Sequence, residues 1–260
     1  YYFDNSGKRI EHAVDKKING NYYTFVDGKM QTGWFKLPAA ENAATASEAV
    51  KADASSISGY QYYDEDGKRA ADGWRTIEGA EGISEEAEVY KFYFKNGVPH
   101  HAQSGLELFS IDSKKYAFNT KGEMQTGVQT LAVKGGGEAV YYFGDDGAMK
   151  TGKQTIYDED LGETQNWYFH TDGSKKGQGY HGIKDNTLYI HGLRQEADPD
   201  LRLVPADLDG TRYLINTNGA IQKAGSSSKS NAKPELGAGY KDFKDENDTI
   251  WTVNTSGIIQ

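Results

Sequence analysis

The sequence predicts an all-β fold, an elongated solenoid of repeated β-hairpins with long loop insertions, and three observations carry that prediction. A short motif, an aromatic or apolar triplet followed by an acidic or Asn turn that closes on Gly, recurs ten times along the 260 residues. Thirty-one Gly and 18 Tyr dominate the composition, so turns and rings must supply much of what Leu, Ile and Val supply elsewhere. Within each triplet the outer two positions are consistently large while the middle one varies, which is the period of a strand with one buried face.

The copies, in order, are YYFDNSG from Tyr1, YTFVDG from Tyr23, QYYDEDG from Gln61, FYFKNG from Phe92, YAFNTKG from Tyr116, YYFGDDG from Tyr141 and WYFHTDG from Trp167. Weaker copies follow as LYIHG from Leu188, YLINTNG from Tyr213 and WTVNTSG from Trp251. Asp or Asn bends the backbone through its side chain, and the closing Gly accepts the positive φ that a tight hairpin requires. The outer members, such as Tyr1 and Phe3, Tyr116 and Phe118, Tyr141 and Phe143, Trp167 and Phe169, are assigned to the interior. The middle members, Tyr2, Thr24, Tyr62, Tyr93, Ala117, Tyr142, Tyr168, Leu214 and Thr252, are assigned to an open face.

After the turn, several copies are predicted to continue with a short polar strand closing on a second Gly: KMQTG from Lys29, EMQTG from Glu123 and AMKTG from Ala148. Met30, Met124 and Met149 hold one position, where a flexible thioether fills gaps beside rings. A third short strand leads into the next copy, and Asn19-Gly20 is the cleanest hairpin signal. A single hairpin cannot bury its own face, so each copy must lean on its neighbours.

Two segments interrupt the spacing. The one near 39–59 is rich in Ala, Ser and acid and reads as a short surface helix or a loose loop. The one near 224–240, with its Ser, Gly and Pro, reads as a flexible excursion. Both are taken as insertions in one array spanning 1–260. That array begins and ends inside repeats, which predicts a fragment of a longer protein.

The formal charge is −9 with no basic block, which argues against nucleic acid and favours cationic or neutral ligands. Without Cys there are no disulfides and no Cys-based zinc sites. No apolar run approaches a membrane span, so no membrane insertion is expected. The six His form no ligand set, and Asp64-Glu65-Asp66-Gly67 and Asp207-Leu208-Asp209-Gly210 fall short of a calcium loop's ligand spacing. Neither a metal nor another cofactor is expected.

YYFDNSGK, GKMQTGW and YYFGDDGAMKTG resemble the cell-wall-binding or choline-binding repeats of Gram-positive surface proteins. Similar repeats occur in the glucan-binding domains of glucansucrases and in the receptor-binding repeats of large clostridial toxins. The resemblance covers almost the whole chain and weakens from about Asn186 onward. It implies a secreted, cell-wall-associated module whose partner is a cell-wall polymer or another polysaccharide, with choline among the candidates. In the choline-binding branch a Trp directly after the closing Gly combines with a Tyr of the following hairpin to cage the quaternary ammonium. Gly33-Trp34 and Gly73-Trp74 match that pattern, with Tyr62 and Tyr93 as the next open-face rings. Val128 after Gly127 and Lys153 after Gly152 depart from it, leaving Tyr142 and Tyr168 as the open-face candidates there.

Two readings compete with binding. The array is a spacer or adhesin stalk if Trp34 and Trp74 are packing wedges, and this reading predicts that both are buried. It is a glycan-degrading domain if a carboxylate pair acts as acid and nucleophile. The available acids are Asp64, Glu65, Asp66, Asp145, Asp146, Asp158, Glu159 and Asp160. Most of them fall in turns, where Asp has a backbone role, so the chain is read as non-catalytic. The sequence assigns no oligomeric state.

Overall fold

The computed structural model of the chain describes residues 1–38, 55–85 and 88–260. Most of the segment predicted near 39–59 as helix or loop lies outside the described residues. The regular secondary structure of the described residues is almost all β, in small antiparallel sheets, with a single 3-10 turn at Pro234–Leu236. This is the hairpin-repeat, solenoid-like architecture that the sequence predicts. The chain divides into two compact units, Tyr1–Glu138 with Phe143–Met149, and Ala139–Tyr142 with Lys150–Gln260.

In the first unit, Gly33–Lys36 pairs with Tyr60–Tyr63, Gly73–Glu78 with Val89–Lys95, and Leu106–Ile111 with Lys114–Asn119. Two of these sheets share one register. The closing Gly faces the third member of the next triplet, and the residue after it faces the middle member: Gly33 with Tyr63 and Trp34 with Tyr62, then Gly73 with Phe94 and Trp74 with Tyr93. The second unit keeps that register, with Gly152 opposite Phe169 and Lys153 opposite Tyr168. Its largest sheet has five strands in the order Gly152–Asp158, Glu163–Phe169, Leu193–Arg194, Thr187–Ile190, Gly182–Lys184.

The turns form as the motif requires. Asp64 accepts the Gly67 N–H on its carbonyl at 2.8 Å and the Lys68 N–H on Oδ1 at 2.8 Å. Asn119, Asn216, Asp245 and Asn254 likewise take backbone N–H groups two and four residues on. The carboxylates of Asp64 and Asp158 are thus spent on turn backbone. Asp66 bonds Lys68 Nζ at 2.9 Å, which first among its causes holds its carboxyl below the ordinary range. An ionised turn carboxylate of this kind is unlike a glycosidase acid, whose pKa is raised.

Neighbouring copies lock at the turn glycines. At several junctions the residue two past one turn Gly lies on the turn Gly of the next copy, as Met30 on Gly67, Met124 on Gly147, Arg194 on Gly219 and Ile221 on Gly257, whereas nothing lies within 4 Å of a Cβ placed at Gly173. The predicted gap-filling beside rings happens at Met124, which packs against the cluster of Tyr116 and Phe118, whereas Met30 covers Gly67 and is exposed. Above the turns, the outer triplet members Phe92, Phe94, Phe118, Phe143, Phe169 and Ile215 are wholly or almost wholly buried.

Three expectations need correction. Tyr1 and Phe3 are 72% and 56% exposed rather than interior. The middle face is not open throughout: Thr24, Ala117, Leu214 and Thr252 are buried, while Tyr62, Tyr93, Tyr142 and Tyr168 are half-buried. Small or apolar middle residues let neighbouring segments close over them, whereas a phenol keeps its hydroxyl end toward water. The third correction concerns 224–240, which is folded in rather than loose.

Asp242 holds that segment. Its Oδ1 accepts from Ser230 Oγ at 2.5 Å and Thr252 Oγ1 at 2.8 Å, and its Oδ2 accepts from the N–H groups of Asn231 at 2.7 Å and Ala232 at 2.9 Å. Desolvation is the largest single effect and raises the pKa, but the four donors together outweigh it and hold the carboxyl down to about 2. Because the folded pKa lies below the ordinary 3.8, the carboxylate stabilises the fold above pH 3.8, and that contribution is lost as pH falls toward 2. Asp242→Asn places an amide N–H₂ among donors. It is expected to cost about 1 kcal/mol at neutral pH after allowing for solvent screening, and to flatten the acid limb of a stability–pH curve. Urea unfolding of both proteins between pH 2 and pH 5 checks this.

Candidate functional site: aromatic clefts between hairpins

The shared register decides which rings meet. A residue directly after the closing Gly stands opposite the triplet's middle member, so Trp34 lies at 5.3 Å, edge to face, from Tyr62, and Trp74 at 5.1 Å from Tyr93. Both pairs named from the sequence are therefore in contact. Each Trp then reaches a further triplet, meeting its first member edge-on and stacking on its third: Trp34 with Phe92 at 5.0 Å and Phe94 at 5.8 Å, Trp74 with Tyr116 at 4.8 Å and Phe118 at 6.0 Å. The two indoles are half-buried, short of the full burial that the stalk reading predicts.

Each indole forms a wall of an open cleft. The cleft at Trp34 has a volume of about 740 Å³, with Tyr60 and Tyr62 as further walls and Glu65, Glu78 and Glu81 around them. Trp34 Nε1 donates to the Glu78 carbonyl at 2.8 Å, which fixes the indole plane. Among the described residues no Lys or Arg lines this cleft, although Lys36 Nζ lies 5.6 Å from the outer Tyr60 ring. Burial first, then the charges of Asp64, Glu65 and Glu78, push the Tyr62 phenol up. A negative field over ring faces favours a cation.

The cleft at Trp74 is smaller, about 220 Å³, and is lined by Trp74, Thr76, Tyr116 and Met124, with Lys91 and Asp146 supplying one charge of each sign. Tyr93 touches Trp74 but turns its face elsewhere. His100 stacks on it at 5.0 Å and on Phe109 at 4.5 Å. Desolvation in that stack is the main cause that depresses the His100 pKa, and the nearby charges of His101 and Lys95 add to it. A histidine whose folded pKa lies below the ordinary 6.5 binds protons more readily when unfolded, so stability is lost as pH falls below 6.5. His100→Phe is expected to remove that loss between pH 7 and pH 5, as read by denaturant midpoints at each pH.

In the second unit the candidates are arranged differently. Tyr142 stacks on Phe169 at 6.2 Å. Tyr168 meets Tyr180 and Tyr189, each at 5.8 Å, and Lys184 Nζ sits 5.2 Å from the Tyr168 ring. With Lys153 also opposite it, Tyr168 has cations of its own chain where the first unit has an indole. The sequence reading missed Tyr116, Met124 and the three glutamates as cleft residues. Their signal was present in the repeat, because the first triplet member and the Met position recur, but only the packing of one hairpin on the next assigns them to a cleft.

Among the described residues, no group of three or more His, Asp or Glu is arranged to hold a metal ion, and no helix is long and apolar enough to cross a membrane.

No protein-family model and no curated protein matches the chain. Solved structures do, at low similarity, and choline-binding proteins are among them. CbpJ from Streptococcus pneumoniae TIGR4 is 20% identical, with 100% of this chain and 90% of that one covered and a TM-score of 0.34. Choline binding protein F from Streptococcus pneumoniae is 18% identical over 94% of this chain and 91% of that one, with a TM-score of 0.30. The modular autolysin LytC from Streptococcus pneumoniae, solved with a synthetic peptidoglycan ligand, is 15% identical over 86% of this chain and 45% of its own, with a TM-score of 0.39.

Proposed function

We propose that the chain is a non-catalytic binding module that attaches a secreted protein to a cell-wall or extracellular polysaccharide, and that its first unit takes quaternary ammonium groups such as choline at Trp34 and Trp74. The observation that carries this reading is the repeated cleft. Two successive hairpins place an indole against a cross-strand Tyr and against the first ring of a further triplet, at nearly the same distances. A trimethylammonium group has no N–H to donate, so ring faces and nearby carboxylates are the partners that suit it. Two or three rings contribute about −4 kcal/mol together, near millimolar affinity for one site. Two sites meeting a polymer that repeats its epitope gain orders of magnitude through effective concentration.

Trp34, Tyr62, Trp74 and Tyr116 are the ligand residues in this reading, and Tyr93, whose face His100 covers, holds the Trp74 indole in place. Tyr142 and Tyr168 serve the second unit's part of the polymer surface. The test is tryptophan fluorescence during titration with choline chloride, using tetramethylammonium and sodium chloride as matched controls. Saturable quenching by the two quaternary ions and not by sodium supports the reading. Equal responses to all three salts, together with failure to sediment with choline-bearing wall material, would leave the rings as packing and return the chain to the stalk.

A further inference from the structure

The second unit leaves part of one strand edge unpaired. Glu163–Phe169 pairs with Gly152–Asp158 at seven consecutive positions without a bulge. On its other side it meets the short strand Leu193–Arg194 at a single position, Trp167 opposite Leu193. Tyr168 shows which backbone groups point that way, because its N–H donates to the Gly192 carbonyl and its own carbonyl accepts from the Tyr180 N–H. Strand alternation turns the N–H and C=O of Thr164 in the same direction. No strand lies beside them there among the described residues, and Glu163 and Thr164 are exposed.

Beyond Arg194 the chain diverges from this edge, with the Gln195 N–H on the Leu188 carbonyl and the Ala197 N–H on the Asn216 carbonyl. A groove of about 380 Å³ is left between residues 163–166 and 193–199. Glu196 Oε1 bridges its inner end, accepting from Arg194 Nε and from Asn166 Nδ2 at 3.2 Å. Tyr157, directly across the hairpin from Thr164, and Leu161 at the tip are 61% and 64% exposed, which gives the outer end apolar surface as well.

Open strand edges are ordinarily blunted by Lys, Pro, a bulge or charge. Glu163–Phe169 has no Lys, Pro or bulge, and its one charge is Glu163. Asp158, Glu159 and Asp160 stand beside Glu163 at the hairpin tip with no basic residue among them. Asp198 also lines the groove, where Arg194 is engaged by Glu196. Pairing with the same edge of a second copy would bring two such sets of acids together, whereas a basic strand is attracted. The geometry points to a strand-addition site for an extended peptide segment with Lys or Arg at alternate positions. Its main chain pairs with Thr164, its basic side chains face Glu163 and Asp198, and its intervening side chains share the face of Thr164 and Tyr157.

The test is amide NMR of the full chain in low salt, titrated with a capped octapeptide alternating Lys and Thr and, separately, with its Glu/Thr counterpart. The Lys/Thr peptide should shift the Thr164 and Gln165 amides saturably, at about millimolar affinity, and slow the hydrogen exchange of Thr164. The Glu/Thr peptide should do neither. Thr164→Pro removes the pairing N–H at a position where an edge strand tolerates Pro. The Gln165 shift should then vanish while the urea midpoint stays close to that of the parent. Glu163→Lys alters only an exposed side chain and should weaken the Lys/Thr peptide about three- to tenfold, which tests the site even if the Pro variant fails to fold. No saturable shift, equal responses to the two peptides, binding that leaves Thr164 exchange unchanged, or undiminished affinity in Glu163→Lys overturns the proposal. Slowing of Thr164 exchange by raised protein concentration alone does so too, by assigning the edge to a second copy.

Discussion

Gly219→Ala is expected to destabilise the second unit by about 3 kcal/mol, against about 1 kcal/mol for Gly210→Ala. Both glycines sit at positive φ, +71° and +83°, so both pay the left-handed penalty of a Cβ. They differ in what the Cβ would meet. At Gly210 it enters open space, whereas at Gly219 it lies 2.6 Å from the Gln195 carbonyl oxygen and 3.0 Å from Arg194 Cγ. A backbone oxygen cannot swing aside as a side-chain end can, so the hairpins must separate. Gly67→Ala is an intermediate case, since the group in the way is the flexible Met30 thioether, 2.3 Å from the new carbon. Urea midpoints for the three variants should rank Gly210, Gly67, Gly219. An equal loss at all three would mean that only the turn conformation, and not the lock between copies, sets the requirement for Gly.

That distinction bears on what was legible in the sequence. The Asp or Asn followed by Gly announced a turn, and period-two alternation announced Phe92, Phe94, Phe118, Phe143 and Phe169 as core, because both are local rules that hold within one hairpin. The Trp34–Tyr62 and Trp74–Tyr93 pairs were legible only through the resemblance to choline-binding repeats, because their strands are joined by long connections that set no register of their own. Contacts between hairpins were not legible. Nothing in a stretch reading GKM or GKR says that its third residue will lie on a glycine of the next copy, or that Tyr116 will wall the cleft of Trp74. Those outcomes depend on the rise from one copy to the next, which is set by packing rather than by any one turn. The same limit hid the fate of Ala224–Gly239. Its Ser and Gly content is that of a loose loop, and only the four donors converging on Asp242 give it a place.

Trp34→Ala is expected to do two things at once, and the comparison with Trp74→Ala separates them. Trp34 packs against Ile57, Ala80 and Ile83 on one side and Phe92 and Phe94 on the other, and its Nε1 bonds the Glu78 carbonyl. Removing the indole should cost the first unit about 2–4 kcal/mol, because it opens two apolar clusters and orphans a carbonyl. Among the described residues Trp74 packs against the cluster around Ile111, Tyr116 and Phe118, so its loss should be smaller. For binding, each Ala variant should abolish one of two choline sites, halving the stoichiometry measured by calorimetry while the remaining site keeps its affinity.

The carboxylates then tell the two sites apart without disturbing either core. Glu65 and Glu81 are exposed and belong to the Trp34 cleft, so Glu65→Gln combined with Glu81→Gln should weaken that site about three- to tenfold through lost attraction and leave the Trp74 site unchanged. Added salt should act in the same direction, weakening the Trp34 site more than the Trp74 site, whose Lys91 and Asp146 oppose each other. If both sites respond equally to the double substitution, the acidic rim acts as a general field over the unit rather than as part of one cleft. If neither responds, the rings alone hold the cation, and the three glutamates around Trp34 serve solubility.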